Sequence, residues 1–374
     1  MNMRALCGAE IFDGHTLHAE KAVLLDGESF QGIVERQEIP TGYEIVGLDS
    51  GVLMPGFVDL QVNGGGGVMF NDETTLHGLE KIAAAHATTG TLAILPTLIT
   101  DTPKRTFDAV DAVEAAIAQS LPGIVGIHLE GPHLSIARKG AHDPSLIRPM
   151  QDEDEAFLID AAQRLPNVMV TVAPESVSNQ QIERLSAAGI IVSLGHTDCT
   201  LSQASAAFAA GAKCVTHLFN AMRQMGNREP GLVGATLDTS DVSAGLIADN
   251  IHVHAASMRI ALASKKAPGS IFLVTDAMST VGSDIKEFQL NGRRVLRQKN
   301  RLTLEDGTLA GADLDMPTAL SVLIEKVGIE PEKAYAMATS APASLLREPA
   351  GLGQFNIGET LNGVHLQQRR CIAL

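Results

Sequence analysis

The chain has 374 residues, of which 45% are hydrophobic and 3% aromatic, and it contains no tryptophan. Its 28 Lys and Arg residues are outnumbered by 43 Asp and Glu residues, which gives a formal net charge of -15. Such an acidic protein repels nucleic acid and anionic membranes. No apolar run approaches the roughly 18 residues of a membrane span, and the N-terminus has no apolar segment of signal-peptide length. We therefore expect no nucleic-acid or membrane partner and a cytoplasmic location.

Short apolar stretches interrupted by glycine and aspartate make up the first fifty residues, for example "AVLLDG" and "YEIVGLDSG". This pattern is typical of short antiparallel strands. It ends near Met54, and similar strand-like pieces return in the tail from Leu352. We therefore predict a small β-sandwich domain formed from both chain ends, residues 1–53 and 347–374.

Between these ends, eight apolar runs alternate with mostly helical, alanine-rich stretches. Eight strand-then-helix units are what a closed parallel barrel requires, whereas an open doubly wound sheet usually has fewer. The "NGGGG" segment after the first run lacks the G-x-G-x-x-G spacing of a dinucleotide site. We therefore predict an α/β fold in which residues 54–346 form a (β/α)8 TIM-type barrel. The runs are "FVDLQV", "TLAILPT", "GIVGIHLE", "VMVTVAPE", "GIIVSLGH", "KCVTH", "SAGLIAD" and "SIFLVTD".

After the eighth run the pattern changes to alternating polar and apolar residues. The segments "FQLNGRRVL" and "RLTLEDGTLAG" contain Asn-Gly and Asp-Gly pairs, which are strong signals for tight hairpin turns. We therefore predict a β-hairpin excursion in the last strand-to-helix loop, over residues 281–311.

Four of the eight runs end in a side chain that can bind a metal or carry a proton. Taken singly, each has a commoner explanation, since a histidine after a strand is usually a hydrogen-bonded loop residue and an aspartate often caps a helix. In a barrel, however, the C-terminal ends of all strands open into one shared mouth. The residues that we expect to meet there are Glu130, His196, His217 and Asp276.

Two imidazoles and a carboxylate in one mouth suit a divalent transition ion that keeps an open position. Such an ion lowers the pKa of its water from about 15.7 toward roughly 7. Asp276 need not bind the ion, and it can act as a base that takes the remaining proton and returns it to a leaving group. Amide hydrolysis fits this arrangement best, because an amine leaves poorly unless it is protonated.

Eleven motifs occur in order between about Met54 and Leu346, among them "GIHLEGPHL", "KGAHDP", "SLGHT", "THLFNAM", "REPGLVGA" and "LVTDAM". Together they resemble the N-acetylglucosamine-6-phosphate deacetylase family of the amidohydrolase superfamily. The resemblance implies a metal-dependent (β/α)8 barrel that removes acetate from N-acetyl-D-glucosamine 6-phosphate. The product would be D-glucosamine 6-phosphate, and the setting would be amino-sugar catabolism.

The resemblance also implies a catalytic role for the polar residues of these motifs. Glu130, His196 and His217 match the metal ligands of the family, and Asp276 matches its general base and acid. His142, in "KGAHDP", matches the histidine that lies over the acetamido carbonyl and helps to orient and polarise it. The first four roles agree with the chemistry inferred from the strand ends.

A second group matches the positions that hold the sugar phosphate. It consists of Asn220, the backbone of Ala221, Arg228 and His252. In so acidic a protein, such groups supply the local positive field that a phosphate requires. In the family the arginine and the histidine reach across an interface to the neighbouring subunit, so the resemblance implies a homodimer that acts on a small amino-sugar phosphate.

Two features depart from the pattern of the superfamily. Most amidohydrolases end the first strand with His-x-His, which binds a second metal, whereas this chain has Gln61 and Asn63 there. An amide oxygen is a weaker ligand to a transition ion than imidazole. We therefore predict one divalent ion per subunit, zinc before iron, cobalt or manganese, with Gln61 and Asn63 as hydrogen-bonding, substrate-binding groups. The tail has Glu359 where lysine is usual and predicts a shortened C-terminal part of the small domain.

Alternatives stay open at this point. The barrel could act on another N-acylated or cyclic amide, or it could be a non-catalytic binding module. His128 either orients Glu130 or its neighbours, or it simply packs in the core. Five histidines lie outside the motifs, and we expect all of them to be solvated: His15, His18, His77, His86 and His365.

Overall fold

The computed structural model describes residues 2–373. Seven short strands begin the chain, with a single 3-10 turn at Arg36–Glu38 between the fifth and the sixth. The strands are β1 (Met3–Cys7), β2 (Glu10–Phe12), β3 (Leu17–His18), β4 (Lys21–Asp26), β5 (Ser29–Glu35), β6 (Glu44–Gly47) and β7 (Val52–Pro55).

The next strands form a parallel barrel in which chain order and spatial order agree. The eight strands of this sheet follow one another in chain order, and the two-residue strands β9 and β10 of the glycine-rich loop are not part of it. A parallel bridge between Val62 and Ala277 closes the ring. The predicted barrel is thus confirmed. The strands of this segment, of which β9 and β10 lie outside the barrel, are β8 (Phe57–Val62), β9 (Gly64–Gly65), β10 (Val68–Met69), β11 (Thr91–Ile99), β12 (Ile127–Glu130), β13 (Val168–Val172), β14 (Ile191–Leu194), β15 (Cys214–Val215), β16 (Ser243–Leu246) and β17 (Ile271–Leu273).

Helices follow most barrel strands, and several begin at a side chain that caps the first turn. Four N-cap hydroxyls accept a hydrogen bond from the backbone amide three residues later, which satisfies one of the free amides of the helix start. These hydroxyls belong to Thr75, Thr102, Ser178 and Thr200. The helices are α1 (Leu76–Ala87), α2 (Pro103–Ala118), α3 (Asp152–Arg164), α4 (Asn179–Ala187), α5 (Leu201–Ala209), α6 (Gly231–Asp238) and α7 (Ala255–Ser264).

The core of the barrel is aliphatic. Every residue of β8 and β13 is buried, because the strands pack on helices outside the ring and on one another within it. The largest core cluster consists mainly of Ala, Val, Leu and Ile. This explains why the strands appear in the sequence as continuous apolar runs rather than as alternating patterns.

A four-stranded antiparallel sheet follows β17 and confirms the predicted excursion. Its first turn, Asn291-Gly292, has positive φ at both positions (50° and 71°), as a type I′ turn requires. Leu290 and Val295 of this sheet pack with Ile99 and Met278 beside the mouth of the barrel. The strands are β18 (Glu287–Leu290), β19 (Arg293–Gln298), β20 (Arg301–Leu304) and β21 (Leu309–Ala312).

The C-terminal elements return to the N-terminal strands. The helices are α8 (Met316–Ser321), which continues into a π-helical segment (Val322–Val327), α9 (Pro331–Ala338) and α10 (Ser340–Ala343); the strands are β22 (Gly363–Gln367) and β23 (Arg370–Ala373). One sheet has the order β5-β4-β1-β6, and β22 pairs with β7 in a second sheet of order β23-β22-β7-β2-β3. Leu6 and Val23 of the first sheet pack with Ile11 and Leu53 of the second. The predicted sandwich of both chain ends is therefore confirmed.

Two histidines that we expected to be solvated are buried, so this expectation was wrong. His86 is 1% exposed and its Nε2 lies 2.9 Å from the carbonyl oxygen of Gly64. His365 is 5% exposed and its Nε2 lies 2.6 Å from the carbonyl oxygen of Ser50. In each case a backbone carbonyl oxygen pairs with one ring nitrogen, which lowers the cost of burying the ring. None of the helices within residues 2–373 is both long enough and apolar enough to span a bilayer.

Candidate active site

Four polar side chains converge where their strands end. Glu130 is the last residue of β12, and His196, His217 and Asp276 follow β14, β15 and β17 within three residues. All four line one cavity of about 390 Å³ at the C-terminal mouth of the barrel. Since this is the face on which barrel enzymes place their catalytic groups, we take the cavity as the candidate active site.

Three of these residues form a tight triangle of ligand atoms. Nε2 of His196 and Nε2 of His217 each lie 3.1 Å from Oε1 of Glu130, and the two nitrogens are 3.1 Å apart. His142 lies farther away, with Nε2 4.0 Å from Oε2 of Glu130. Glu130, His142 and His196 also offer atoms within 4.8 Å of one another, but the triangle that includes His217 is the more compact ligand set.

The backbone is left-handed at three of these positions, with φ of 48° at His196, 29° at His217 and 50° at Asp276. Residues other than glycine rarely adopt this conformation, which costs on the order of 1–3 kcal/mol and is concentrated at functional sites. Each carbonyl oxygen accepts a backbone hydrogen bond of 2.9 Å that stabilises the turn. The donors are Ser135 for His196, Asn220 for His217 and Ala312 for Asp276.

The charges of the cluster depend on one another. Burial alone would raise the pKa of Glu130, but hydrogen bonds from His196 and His217 and their charges hold this pKa well below its usual range. Burial opposes protonation of His217, yet the hydrogen bond and charge of Glu130 raise its pKa. Burial, followed by the negative charge of Glu130, raises the pKa of Asp276. Glu130 therefore carries the negative charge to which a cation would bind.

His142 behaves differently from the other two histidines. Burial, reinforced by the neighbouring His196, lowers its pKa to about 3. Its ring packs edge-on against that of His196, with the centroids 4.4 Å apart. At neutral pH, His142 is therefore an uncharged imidazole that can donate a single hydrogen bond.

A sequence model described as the amidohydrolase family matches residues 52–360, which include the whole barrel and every residue of the site. The chain belongs to the amidohydrolase family. The prediction that it is a hydrolytic enzyme is confirmed, and so is the resemblance on which the prediction depended.

Similar amidohydrolases have names that refer to amino-sugar phosphates. An N-acetylgalactosamine-6-phosphate deacetylase of Shewanella sp. (strain ANA-3) is 43% identical over 85% of this chain and 80% of its own length. An N-acetylglucosamine-6-phosphate deacetylase of Haemophilus influenzae is 33% identical over 96% of this chain and 93% of its own. The crystal structure of N-acetylglucosamine-6-phosphate deacetylase from Pasteurella multocida superimposes with a TM-score of 0.93 at 32% identity, covering 99% of this chain and 97% of that one.

Amidohydrolases depend on a metal, and the ligand set of this chain fits a divalent ion. Nδ1 of His196 lies 2.9 Å from the carbonyl oxygen of Arg138, which can only accept, so Nδ1 carries the proton. When the ring is neutral, Nε2 directs a lone pair toward Glu130. Two lone pairs at 3.1 Å repel each other unless a positive charge lies between them. The spacing is also close to the roughly 3.3 Å that separates ligands bound about 2.0–2.1 Å from a tetrahedral ion.

Gln61 and Asn63 occupy the place of the usual His-x-His pair. Nε2 of Gln61 donates to Oε1 of Glu130 (3.3 Å) and to Oδ1 of Asp276 (3.2 Å). Nδ2 of Asn63 donates to the same oxygen of Asp276 at 2.7 Å. Both amides thus donate to carboxylates of the site, and Asn63 also lines the cavity.

The residues expected at the phosphate lie in two different places. Asn220, Ala221 and His252 line the cavity, and Nδ1 of His252 lies 2.6 Å from Oδ2 of Asp249. Arg228 is exposed, in a loop that follows Asn220, and is not part of the cavity wall of its own chain. His252 thus lines the cavity of its own chain, rather than reaching across an interface as the resemblance implied, whereas Arg228 lies outside that cavity.

Sequence reasoning missed several residues of the cavity. Arg138 and Leu309 line it, the latter from the excursion sheet, and Thr100 contacts His142 from the end of β11. Nothing in the motif "SIARKG" indicates that Arg138, rather than the neighbouring Lys139, lines the cavity. The position of the excursion next to the eighth strand could have indicated that it contributes to the wall.

His128 is part of a buried layer of polar side chains within the barrel. Its Nε2 lies 2.7 Å from Oγ1 of Thr171, and its Nδ1 lies 3.3 Å from Oγ1 of Thr97. Both partners belong to neighbouring strands, β11 and β13. In the part of the chain described, no hydrogen bond joins the ring of His128 to the carboxylate of Glu130, so His128 does not hold Glu130 directly.

Proposed function

We propose that this protein hydrolyses the acetamide of N-acetyl-D-glucosamine 6-phosphate to D-glucosamine 6-phosphate and acetate, as a step of amino-sugar catabolism. The observation that supports this most strongly is the convergence of Glu130, His196, His217 and Asp276 in one buried cavity of an amidohydrolase barrel. The deacetylase names of the Haemophilus and Pasteurella proteins, which match nearly the whole chain, point to the same substrate class.

Each residue of the cluster has a proposed task in this reaction. Glu130, His196 and His217 hold one divalent ion per subunit. When bound, this ion supplies the Lewis acidity that polarises the amide carbonyl and makes water acidic. Asp276 takes a proton from the attacking water and gives it to the amine as the C–N bond breaks. His142 donates a hydrogen bond to the carbonyl oxygen, on which negative charge develops.

The two amides at the end of the first barrel strand complete the arrangement. Asn63 and Gln61 hold one carboxylate oxygen of Asp276, which fixes its direction relative to the cavity. They are also proposed to contact the substrate, since Asn63 lines the cavity wall. Because neither amide is a strong ligand, we propose that no second metal binds. Zinc is the proposed ion, with iron, cobalt or manganese as alternatives.

The phosphate of the substrate is proposed to bind in the same cavity, to the side chain of Asn220, the backbone amide of Ala221 and the side chain of His252. Arg228 would come from a second copy of the chain, which makes the active form a homodimer. Arg228 supports this, because it is exposed and lies outside the cavity wall of its own chain. The proposed location is the cytoplasm.

N-acetyl-D-galactosamine 6-phosphate is a second candidate substrate. The Shewanella relative named for this sugar is 43% identical, more than the 33% of the Haemophilus relative named for the glucosamine sugar. The two sugars differ only in the configuration at C4, which lies away from the acetamide. The same cluster could therefore perform the same hydrolysis on either sugar.

Acetate release from both sugar phosphates, by the same metal-loaded protein, tests the proposal. We expect a higher kcat/KM with N-acetyl-D-glucosamine 6-phosphate, and a clear preference for the galactosamine sugar would establish the second candidate instead. Release from neither sugar, but from another N-acylated or cyclic amide, would reassign the substrate. Binding of the sugar phosphates without any hydrolysis would identify a binding module.

A further inference from the structure

Thr100 lies directly after β11, and two of its groups contact His142. Its hydroxyl oxygen is 2.7 Å from Nδ1 of the imidazole, and its backbone nitrogen is 3.3 Å from the same atom. Thr100 is 1% exposed and His142 is 3% exposed, so water does not compete for these contacts.

The backbone amide of Thr100 indicates which ring nitrogen of His142 carries the proton. A backbone N–H can only donate, so Nδ1 must accept and cannot itself be protonated. If Nδ1 carried the proton instead, a buried backbone amide would lose its partner, at a cost of about 1–3 kcal/mol. In the neutral ring the proton is therefore on Nε2.

The hydroxyl of Thr100 also favours the tautomer of His142 with the proton on Nε2. It has one proton and two possible acceptors, Nδ1 of His142 at 2.7 Å and the carbonyl oxygen of Glu130 at 3.4 Å. The shorter contact is the stronger hydrogen bond, so the hydroxyl donates to Nδ1 as well. Gly131 provides the room for this, because a Cβ at that position would overlap the hydroxyl oxygen of Thr100.

The proton on Nε2 is free for a ligand. Nε2 of His142 lies 4.0 Å from Oε2 of Glu130, which is beyond hydrogen-bond range. Among the described residues no other acceptor pairs with it, and His142 lines the cavity. A nitrogen that carries a proton cannot bind a metal, so this arrangement also excludes His142 from the ligand set.

We propose that Thr100 is a positioning residue that holds His142 as the Nε2–H tautomer and so presents an N–H donor to the carbonyl oxygen of the scissile amide. This rests on the proposed function. Since the carbonyl oxygen gains negative charge only as water attacks, the donor stabilises the transition state more than the bound substrate. Thr100 therefore acts on kcat through His142 without touching the substrate.

The kinetic test compares T100V with T100S. Valine has nearly the same shape but no hydroxyl, whereas serine keeps the hydroxyl and loses only a methyl group. We expect T100V to lower kcat about tenfold with KM within about twofold of wild type, and T100S to stay within about twofold in both. Equal metal content and thermal midpoints of the variants exclude a general loss of structure. Wild-type kcat in T100V, or equal losses in both variants, would overturn the proposal.

A second measurement reads the tautomer itself and needs no catalysis. Protein labelled with ¹⁵N-histidine gives separate ring-nitrogen signals, and His142→Gln identifies those of His142 by their disappearance. We expect the bound proton on Nε2 and an unprotonated Nδ1; a proton on Nδ1 would overturn the proposal even if T100V is slow. This readout also separates the two proposals, because it stands whether or not the protein acts on N-acetylhexosamine phosphates.

Discussion

Asn63 donates a hydrogen bond of 2.7 Å to Oδ1 of Asp276, although the two residues are 213 positions apart in the chain. Gln61 donates to the same oxygen at 3.2 Å. No hydrogen bond to Oδ2 occurs among the described residues. One oxygen of the carboxylate is thus fixed by amides, and the other is available to exchange a proton.

The first prediction concerns this proton exchange. Asp276→Asn keeps the size of the side chain but cannot take up a proton from water, so we expect kcat to fall by roughly 10²–10⁴-fold. The metal content should stay near that of the wild type, because Glu130, His196 and His217 remain. Steady-state acetate release and elemental analysis of the same preparation check both points. Activity within tenfold of wild type would place the base elsewhere.

The second prediction concerns the phosphate. Arg228→Ala removes a charge-assisted hydrogen bond of about 1.5–3 kcal/mol, so KM for the sugar phosphate should rise about 10–100-fold, with little change in kcat. Release of acetate from the unphosphorylated sugar should not change. Arg36→Ala, an exposed arginine of the small β domain, is the matched control. An unchanged KM in Arg228→Ala would show that Arg228 does not bind the phosphate of the substrate.

The third prediction concerns the excursion sheet. The guanidinium of Arg293, at the start of β19, donates to the carbonyl oxygen of Ala141, next to His142. Arg293→Ala should loosen the loop that carries His142 and lower kcat about tenfold. The neighbouring Arg294 instead pairs with Glu287 inside the excursion, so Arg294→Ala is the control and should stay within about twofold. Equal kcat in the two variants would show that the hydrogen bond from Arg293 to Ala141 does not contribute to catalysis.

The fourth prediction concerns pH and stability. Burial raises the pKa of Asp59 to about 7, against hydrogen bonds from Thr275 and Gln61, and the charge of Asp276 adds to the rise. Because this pKa lies above its unfolded value of 3.8, the folded state holds the proton more tightly. Its stabilising contribution is therefore present below about pH 4 and is lost as the pH rises through about 7.

An asparagine at position 59 cannot titrate, so the stability of the Asp59→Asn variant should not show this dependence on pH. The thermal midpoint of the wild type, relative to that of the variant, should fall between pH 5 and pH 8. Over this range the shift corresponds to at most roughly 3 kcal/mol, since each of the two pH units between pH 5 and about 7 is worth 1.36 kcal/mol. Parallel midpoint curves for the two proteins over this range would contradict the prediction.

The barrel could be predicted because its strands are buried on both faces. Such strands appear as apolar runs, and four of these runs end in polar residues, such as Glu130 and Asp276, whose joint occurrence a shared mouth explains. The limits of the strands were less certain: the run from Lys213 to His217 contains only the two-residue strand Cys214–Val215. The chain boundaries of the small β domain, after residues 53 and 346, stay a proposal.

Contacts to backbone atoms account for most of what sequence reasoning missed. Thr100 was overlooked because its effect on His142 depends partly on a backbone amide, which every residue except proline has. Arg293 was overlooked because its partner is a carbonyl group 152 positions away. His86 and His365 were expected in solvent for the same reason: a carbonyl oxygen that satisfies a buried ring leaves no signal in residue type.

Metal add-back is the most direct test of the central claim, that one ion held by Glu130, His196 and His217 makes amide hydrolysis possible. Zinc is titrated into chelator-stripped protein while acetate release from N-acetyl-D-glucosamine 6-phosphate is measured. We expect no release without metal, a linear rise to one equivalent per chain, and a plateau beyond it. Full release by the stripped protein, or a rise that continues to two equivalents, would contradict the account.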